Sequence, residues 1–362
     1  MTGNDKDNRL QGRLVVLTGG TGYFGRHLAQ GLLARGARLR VVSRHPEKAY
    51  AITALGNLGE VQLGRCDVTR PESLARAFAG ADAVVNLVGA FAGNLDAVQG
   101  AGAGAIAAAA HSAGAKAFVH ISAIGANAAS SIAYARTKAE GEAAILTAFA
   151  NATILRPSIL FGPDDAFLNM FGALVASLPI LPVFGPQAKI QPLFVDDAAR
   201  AVCAALAEPA THGGKTYEIA GPEVITMLEL NQRIAQAAGR TPTMLPLPDA
   251  VSGAIAALTG WLPGAPITSD QWQLLKAGNV ASGALPAAGP IRSCRRVSTL
   301  RWMSSSAREN VNFPDSISAC TWSRPFLISA ASDFEMIPCF ASMAACAFEP
   351  AMSWRNRRLS KP

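Results

Sequence analysis

Aromatic side chains are scarce in this 362-residue chain, at 7%, and only four of them are tyrosine. Cysteine is scarcer still where it would matter. Of six cysteines, Cys66 and Cys203 alone fall before residue 284. Neither begins a metal-ligand spacing or a Cys-x-x-Cys pair, so the body reads as a reduced, intracellular chain with no metal site. No apolar run stands behind the polar start MTGNDKDN, so no secretory signal is expected. Residues 250–269 carry no charge, but Gly260, Pro263, Gly264 and Pro266 interrupt them too often for a membrane-spanning helix. A helix between Asp249 and Leu262 is expected in the core, with a partner-facing or interfacial helix as the alternative. Basic residues are also missing from where a nucleic acid would need them. The net charge is +7, yet residues 284–362 hold ten basic and five acidic side chains, leaving +2 on the first 283. Nucleic acid is therefore not an expected partner. What remains is a chain half apolar in composition, long enough for one large α/β unit.

The stretch Leu14 to Gly36 organises it. Val15, Val16 and Leu17 read as a buried strand that runs directly into Gly19, Gly20, Gly22 and Gly25. Phe24, Leu28 and Leu32 then recur at helical spacing, and Gly36 stands where that helix would end. Strand, glycine turn and helix form a dinucleotide fingerprint. Gly19 permits the tight turn, Gly22 lets a pyrophosphate approach the backbone, and Gly25 lets the helix pack closely on the strand. The helix N-terminus offers N–H groups and partial positive charge to the phosphates.

Strands are expected at Leu39–Val42, Val61–Leu63, Ala83–Val88, Ala117–Ile121 and Ala152–Leu155, with helices at 96–113 and 133–149. This alternation predicts βαβ units: an α/β Rossmann fold, a doubly wound parallel sheet with helices on both faces. From Arg156 the rhythm loosens into a small mixed C-terminal substrate lobe. It carries short strands at Gln191–Val195 and Thr216–Ala220, and helices at Phe167–Ser177, Asp196–Leu206 and Met227–Gly239. The expected division is 1–155 for the NAD(P)-binding core, 156–283 for the lobe interleaved with it, and 284–362 for an atypical tail. Past Gly283 no sustained period of 3.6 or 2 survives, and four cysteines and three of five tryptophans crowd there. That loss of local consistency reads as a disordered segment or a non-native reading frame, against the alternative of a Cys-rich interaction tail. Capping boxes are expected at Thr69/Glu72 and Thr226/Glu229.

Several positions carry candidate chemistry. Where NAD-binding versions of this unit keep an acidic residue for the ribose, this chain has Ser43-Arg44, and Arg44 suits a 2′-phosphate. NADP(H) is therefore favoured over NAD(H). Asp67 either meets the adenine edge or is a loop acid ahead of a helix. Tyr134 and Lys138 stand four apart on one helical face. The Lys138 ammonium and a cationic nicotinamide would favour the phenolate and make Tyr134 a general acid/base. Ser122, at the end of the fifth strand, could hold a substrate oxygen.

Thr18-Gly19-Gly20-Thr21-Gly22-Tyr23-Phe24-Gly25, Tyr134-x-x-x-Lys138, Leu155-Arg156-Pro157, Phe161-Gly162-Pro163, Val195-Asp196-Asp197-Ala198 and Tyr217-Glu218-Ile219-Ala220-Gly221-Pro222 occur in order over residues 10–283. In these motifs the chain resembles the extended and atypical short-chain dehydrogenase/reductase superfamily (the NAD-dependent epimerase/dehydratase type). Within it, the chain resembles the group of the nucleotide-binding accessory subunit of respiratory complex I and relatives linked to coenzyme Q biosynthesis. The short gap from Ser122 to Tyr134, Arg44 and the segment Pro266–Gln271 fit that group. The resemblance implies a tightly held NADP(H), with catalytic roles for Tyr134, Lys138 and Ser122. It implies a cofactor site of Gly19, Gly22, Tyr23, Phe24, Gly25, Arg44, Asp67, Val68, Val88, Gly89, Lys138 and Pro157. The position two residues past Ser122, which many extended members fill with Ser or Thr, is Ile124.

Two readings stand. One is an NAD(P)-dependent oxidoreductase or epimerase acting on a small carbonyl or hydroxyl compound, with a link to quinone metabolism. The other is a non-catalytic, nucleotide-stabilised accessory or assembly protein of respiratory complex I type. Expected partners are accordingly a small-molecule substrate or a respiratory or quinone-pathway complex, with peripheral membrane association and a homodimer as further readings. The expected location is cytoplasmic, or peripheral at the inner face of an energy-converting membrane.

Overall fold

A computed structural model describes residues 8–260 and 267–282. Strand β1 (Leu14–Thr18) is buried along its whole length. Its β-branched and aliphatic side chains suit a strand covered on both faces. It pairs in parallel with β2 (Arg38–Ser43) on one side and β4 (Ala83–Asn86) on the other. Beyond β2 lies β3 (Val61–Arg65). Beyond β4 follow β5 (Ala117–Ile121), β6 (Thr153–Pro157) and β7 (Thr216–Ile219). The seven-stranded sheet thus runs β7-β6-β5-β4-β1-β2-β3, all parallel. Its order reverses between β1 and β4, the switch point at which open α/β sheets bind ligands.

Alternation along β1 splits the core in two. Val15 and Leu17 face one layer with Leu28 and Leu32 of α1 (Tyr23–Leu33) and with Ala198 and Val202 of α6 (Val195–Ala207). Val16 faces the other with Phe78 of α2 (Pro71–Phe78), Ile106 of α3 (Gly102–Ser112) and Ile145 of α4 (Ala133–Ala148). Helices therefore cover both faces, as expected, and each fully buried Leu, Ile or Phe contributes roughly 1.5–3 kcal/mol. Helices α3 and α4 pack against each other very closely. A Cβ on Gly104 would stand 2.9 Å from that of Ala144.

A third cluster forms the smaller lobe from α5 (Ala166–Ser177), α7 (Met227–Ala237) and short strands. Ile180–Val183 pairs in parallel with Thr243–Pro246, and Lys189–Ile190 pairs antiparallel with Ile225–Thr226. Helices α8 (Asp249–Thr259) and α9 (Ser269–Ala277) pack through Ala256 and Trp272. α8 occupies the segment expected to hold a core or partner-facing helix; its core contact is Ala256, and Val251 on it is exposed.

Several expectations need correction. Thr216–Ile219 is the edge strand of the main sheet, not a strand of the lobe, because its backbone continues the ladder of β6. Gln191–Val195 is not one strand. Leu193–Phe194 pairs with Leu160–Phe161, while the Gln191 side chain donates to the Gly221 carbonyl. β4 stops at Asn86, since the Asn86 side chain accepts from Val88 N–H and turns the chain. Residues 96–113 divide into a π-helical turn at Asp96–Ala101 and α3. The Thr69/Glu72 box does not form: Asp67 takes the Thr69 N–H and hydroxyl, and α2 starts after Arg70 without a side-chain cap. Thr226 does cap α7, but Glu229 turns to Arg233 rather than back. A full capping box stands instead at Thr268/Gln271. The N-terminal residues 1–7, the segment 261–266 and the tail 283–362 lie outside the described residues, and with them the readings of Leu262, Pro266 and the tail.

Candidate functional site

The glycine turn sits at the carboxyl end of β1. Gly19 adopts a left-handed φ of 71°, which a side chain would strain. A Cβ there would also press on Val88 and Leu87 at 3.2 Å. A Cβ on Gly25 would collide with the Gly20 carbonyl, so α1 enters against the turn itself. Gly22 differs. Its φ of −78° suits any residue, and the space around it is open. It precedes α1 with no side-chain cap, so the first N–H groups of the helix have no side-chain acceptor. That is a cradle suited to a phosphate, and the residues present fit a dinucleotide.

The side chains of Tyr23 and Phe24, at the first turn of α1, pack inward. Phe24 joins the sheet core. The Tyr23 ring stacks edge-on against His27 at 5.1 Å, and a Cβ on Gly162 would stand 2.6 Å from its buried hydroxyl. Burial and the nearby Asp165 push that phenol far above its ordinary value. His27 in turn shares a 2.8 Å hydrogen bond with Asp196. Arg44 follows β2 with an exposed side chain, and Asp67 follows β3, its carboxyl held low by the two Thr69 hydrogen bonds. Val88 and the exposed Gly89 follow β4, while Pro157 is buried at the end of β6.

On α4, Lys138 is 4% exposed and donates to the Ile121 carbonyl at 3.1 Å. Its Nζ lies 3.4 Å from where a Cβ on Gly89 would be, so the ammonium reaches the loop after β4. Burial lowers its pKa to about 8, partly offset by the Glu142 carboxylate. Burial pushes Tyr134 up to about 12. Burial alone sets that direction, in the absence of the nicotinamide charge. The Tyr134 ring is covered by Phe91, the two rings nearly parallel with centroids 4.5 Å apart. Ser122 is buried, and its hydroxyl donates to Glu142 rather than pointing into open space. Glu142 also holds Arg156, at 2.9 Å to Nε and 2.6 Å to Nη2. Behind Lys138, His120 on β5 is buried with both ring nitrogens unpartnered. Burial first, and the Lys138 charge second, keep it neutral.

Sequence reasoning missed Phe91, His120 and Glu142. A signal for Glu142 existed, since it continues the Tyr134–Lys138 face one turn on. Phe91 had none, because an aromatic in a glycine-rich loop has no fixed partner in sequence. Among the described residues no group of His, Cys, Asp or Glu could hold a metal ion, and Cys66 and Cys203 are buried and not joined in a disulfide.

Residues 19–166 match the NAD(P)H-binding family model, and residues 127–256 match the RmlD substrate binding domain. A rat protein, NADH dehydrogenase (ubiquinone) 1 alpha subcomplex subunit 9, mitochondrial, is 30% identical over 319 residues, 83% of this chain and 84% of its own length. The chain belongs to the NAD(P)-binding, epimerase-like family of extended short-chain dehydrogenases/reductases. This family member is also 31% identical to the ceramide reductase of Caulobacter vibrioides, over 65% of this chain and 74% of that protein. Its match to the Arabidopsis thaliana subunit 9, at 32% identity over 68% of this chain, spans 63% of that protein, and the Dictyostelium discoideum match spans 61%. Among solved structures, the Citrobacter sp. triphenylmethane reductase complexed with NADP(H) superposes with a TM-score of 0.65 at 22% identity. It covers 81% of this chain and 99% of that one. A nucleoside-diphosphate-sugar epimerase from Staphylococcus aureus gives 0.59 at 20% identity, covering 73% and 90%. These two likenesses concern the fold. No helix among the described residues is long and apolar enough to cross a membrane.

Proposed function

We propose that this chain binds NADP(H) in preference to NAD(H) and reduces, oxidises or epimerises a small carbonyl or hydroxyl compound. The observation that carries the reading is a single juxtaposition. The open glycine cradle at α1 and the Tyr134–Lys138 face of α4 both stand at the carboxyl edge of the sheet, on either side of the switch point. Bound there, the nicotinamide would supply or accept a hydride. Gly19 and Gly22 would hold the pyrophosphate, with Gly25 letting α1 close on the turn, and Arg44 would hold the 2′-phosphate. Asp67, Val68, Val88, Gly89 and Pro157 would line the remaining nucleotide. Lys138, with one carbonyl partner, keeps donors for ribose hydroxyls. Tyr134 at about 12 keeps its proton at neutral pH, which suits an acid that protonates an alkoxide formed from a carbonyl. Ser122 acts through Glu142 and Arg156 rather than on the substrate.

The second reading is a nucleotide-stabilised accessory protein, favoured by relatives that are mitochondrial complex I subunits. Their company supports a respiratory or quinone-pathway partner complex, with this chain peripheral at an energy-converting membrane. A homodimer remains part of neither argument. Tyr134→Phe separates the two. Under the enzyme reading it removes carbonyl reduction by NADPH while leaving NADPH bound. Under the accessory reading neither wild type nor variant turns over, and both support assembly equally.

A further inference from the structure

Glu142 is buried, 6% exposed, and its carboxylate accepts three hydrogen bonds, one from Ser122 and two from Arg156. It stands one turn beyond Lys138 and two beyond Tyr134, so the three side chains share one face of α4. A buried carboxylate bound only by Arg156 and Ser122 would be a structural staple joining α4 to the ends of β5 and β6. Its position beside a buried ammonium makes it more than that. The groups facing Lys138 can be named element by element. From β5 come the neutral His120 and the Ile121 carbonyl, and from the loop after β4 comes Gly89. The π-helical turn brings Gln99, whose side-chain oxygen lies 3.7 Å from the same Gly89 Cβ position. From α4 itself come Tyr134 and Glu142, and behind Glu142, from β6, comes Arg156. Arg136 of α4 forms ion pairs with Glu140 on the same helix and with Asp96 of the π-helical turn. Glu142 is the anion acting on Lys138 and stands between it and Arg156, which also feels the Glu218 carboxylate on β7.

Resting on the nucleotide-dependent reading above, we propose that Glu142 is a positioning residue whose single carboxylate is divided between Arg156 and Lys138, fixing the protonation of Lys138 and holding Ser122 away from the substrate. Arg156 takes both oxygens by hydrogen bonding, while Lys138 receives only the through-space field. The division has a consequence that a simple staple lacks: the two partners of Glu142 compete. Neutralising Glu142 leaves Lys138 facing Arg156 as a like charge, which favours loss of the Lys138 proton. Removing the guanidinium frees the carboxylate for Lys138 and favours retention of that proton.

The test is a pH titration of the Lys138 side-chain nitrogen by ¹⁵N NMR in the full-length chain without nucleotide, its resonance assigned by its loss in Lys138→Arg. Glu142→Gln is expected to lower the Lys138 midpoint by roughly one pH unit or more, and Glu142→Asp to return most of it. Arg156→Gln is expected to raise the midpoint. If Glu142→Gln does not fold, the Arg156→Gln shift decides alone. A midpoint unmoved in the folded variants, or moved downward by Arg156→Gln, overturns the proposal. The same variants titrated with NADPH should show the pH dependence of affinity following the Lys138 midpoint. Wild-type protein that binds no nucleotide at any pH would overturn the reading of function, while the NMR midpoints would still decide the role of Glu142.

Discussion

Phe91 lies flat on Tyr134, ring centroids 4.5 Å apart and planes inclined by 7°. Phe91 is 44% exposed, so its outer face is open while its inner face dries the phenol. Burial is what raises Tyr134 to about 12. Phe91→Ala should therefore return Tyr134 toward its ordinary value of 10.0. A spectrophotometric tyrosine titration, compared with Tyr134→Phe to identify the group, checks this. An unchanged midpoint would show that Phe91 contributes nothing to the burial.

Lys138 predicts a stability profile on the alkaline side. Its folded pKa of about 8 is below the ordinary 10.5, so above pH 8 the unfolded chain binds more protons than the folded one. Stability contributed through Lys138 should rise from about pH 8 to 10, by on the order of 2 kcal/mol. Other groups titrate there too, so the quantity to measure is the difference in urea unfolding between wild type and Lys138→Met. A flat difference would contradict it.

His120 predicts the acid side. Its folded pKa is far below the ordinary 6.5, so the neutral imidazole must charge on unfolding, and stability falls as pH drops below about 6.5. Neither ring nitrogen meets a partner at good hydrogen-bond geometry, and only the Asn86 backbone acts on the ring, so His120→Leu costs little hydrogen bonding. That variant should be as stable as wild type at neutral pH and more stable than it at pH 5, by thermal unfolding.

The glycines should separate fold from binding. Gly25→Ala sets a methyl group into the Gly20 carbonyl and should cost on the order of 2 kcal/mol or more. Gly22→Ala meets open space at an unstrained φ, so the fold should persist while NADPH affinity drops. Equal losses of stability in both would contradict the assignment of Gly22 to the ligand.

The sheet was legible because β1, β4 and β5 carry buried apolar runs, and the alternation of strands with helices admits few topologies. β7 was misplaced because Thr216–Ile219 is short and half-buried, and only pairing with β6 reveals where it belongs. In the site, the Tyr134–Lys138 spacing was readable since both lie on one helix. The partner of Ser122 was not, because Glu142 reaches it across 20 residues and two elements. The Lys138 contact with Ile121 likewise depends on how closely α4 approaches β5, a packing detail that no local pattern encodes.

Arg44 should govern the choice of nucleotide. Replacing it with Ala should lower NADPH affinity about tenfold, ~1.4 kcal/mol, and leave NADH affinity unchanged. Equal losses for both nucleotides would place Arg44 outside the 2′-phosphate site.

The central claim is tested most directly by fluorescence titration of the full-length chain with NADPH and with NADH, after any co-purifying nucleotide has been identified and removed. The account predicts saturable binding of both, with NADPH the tighter. A folded chain that binds neither would contradict it.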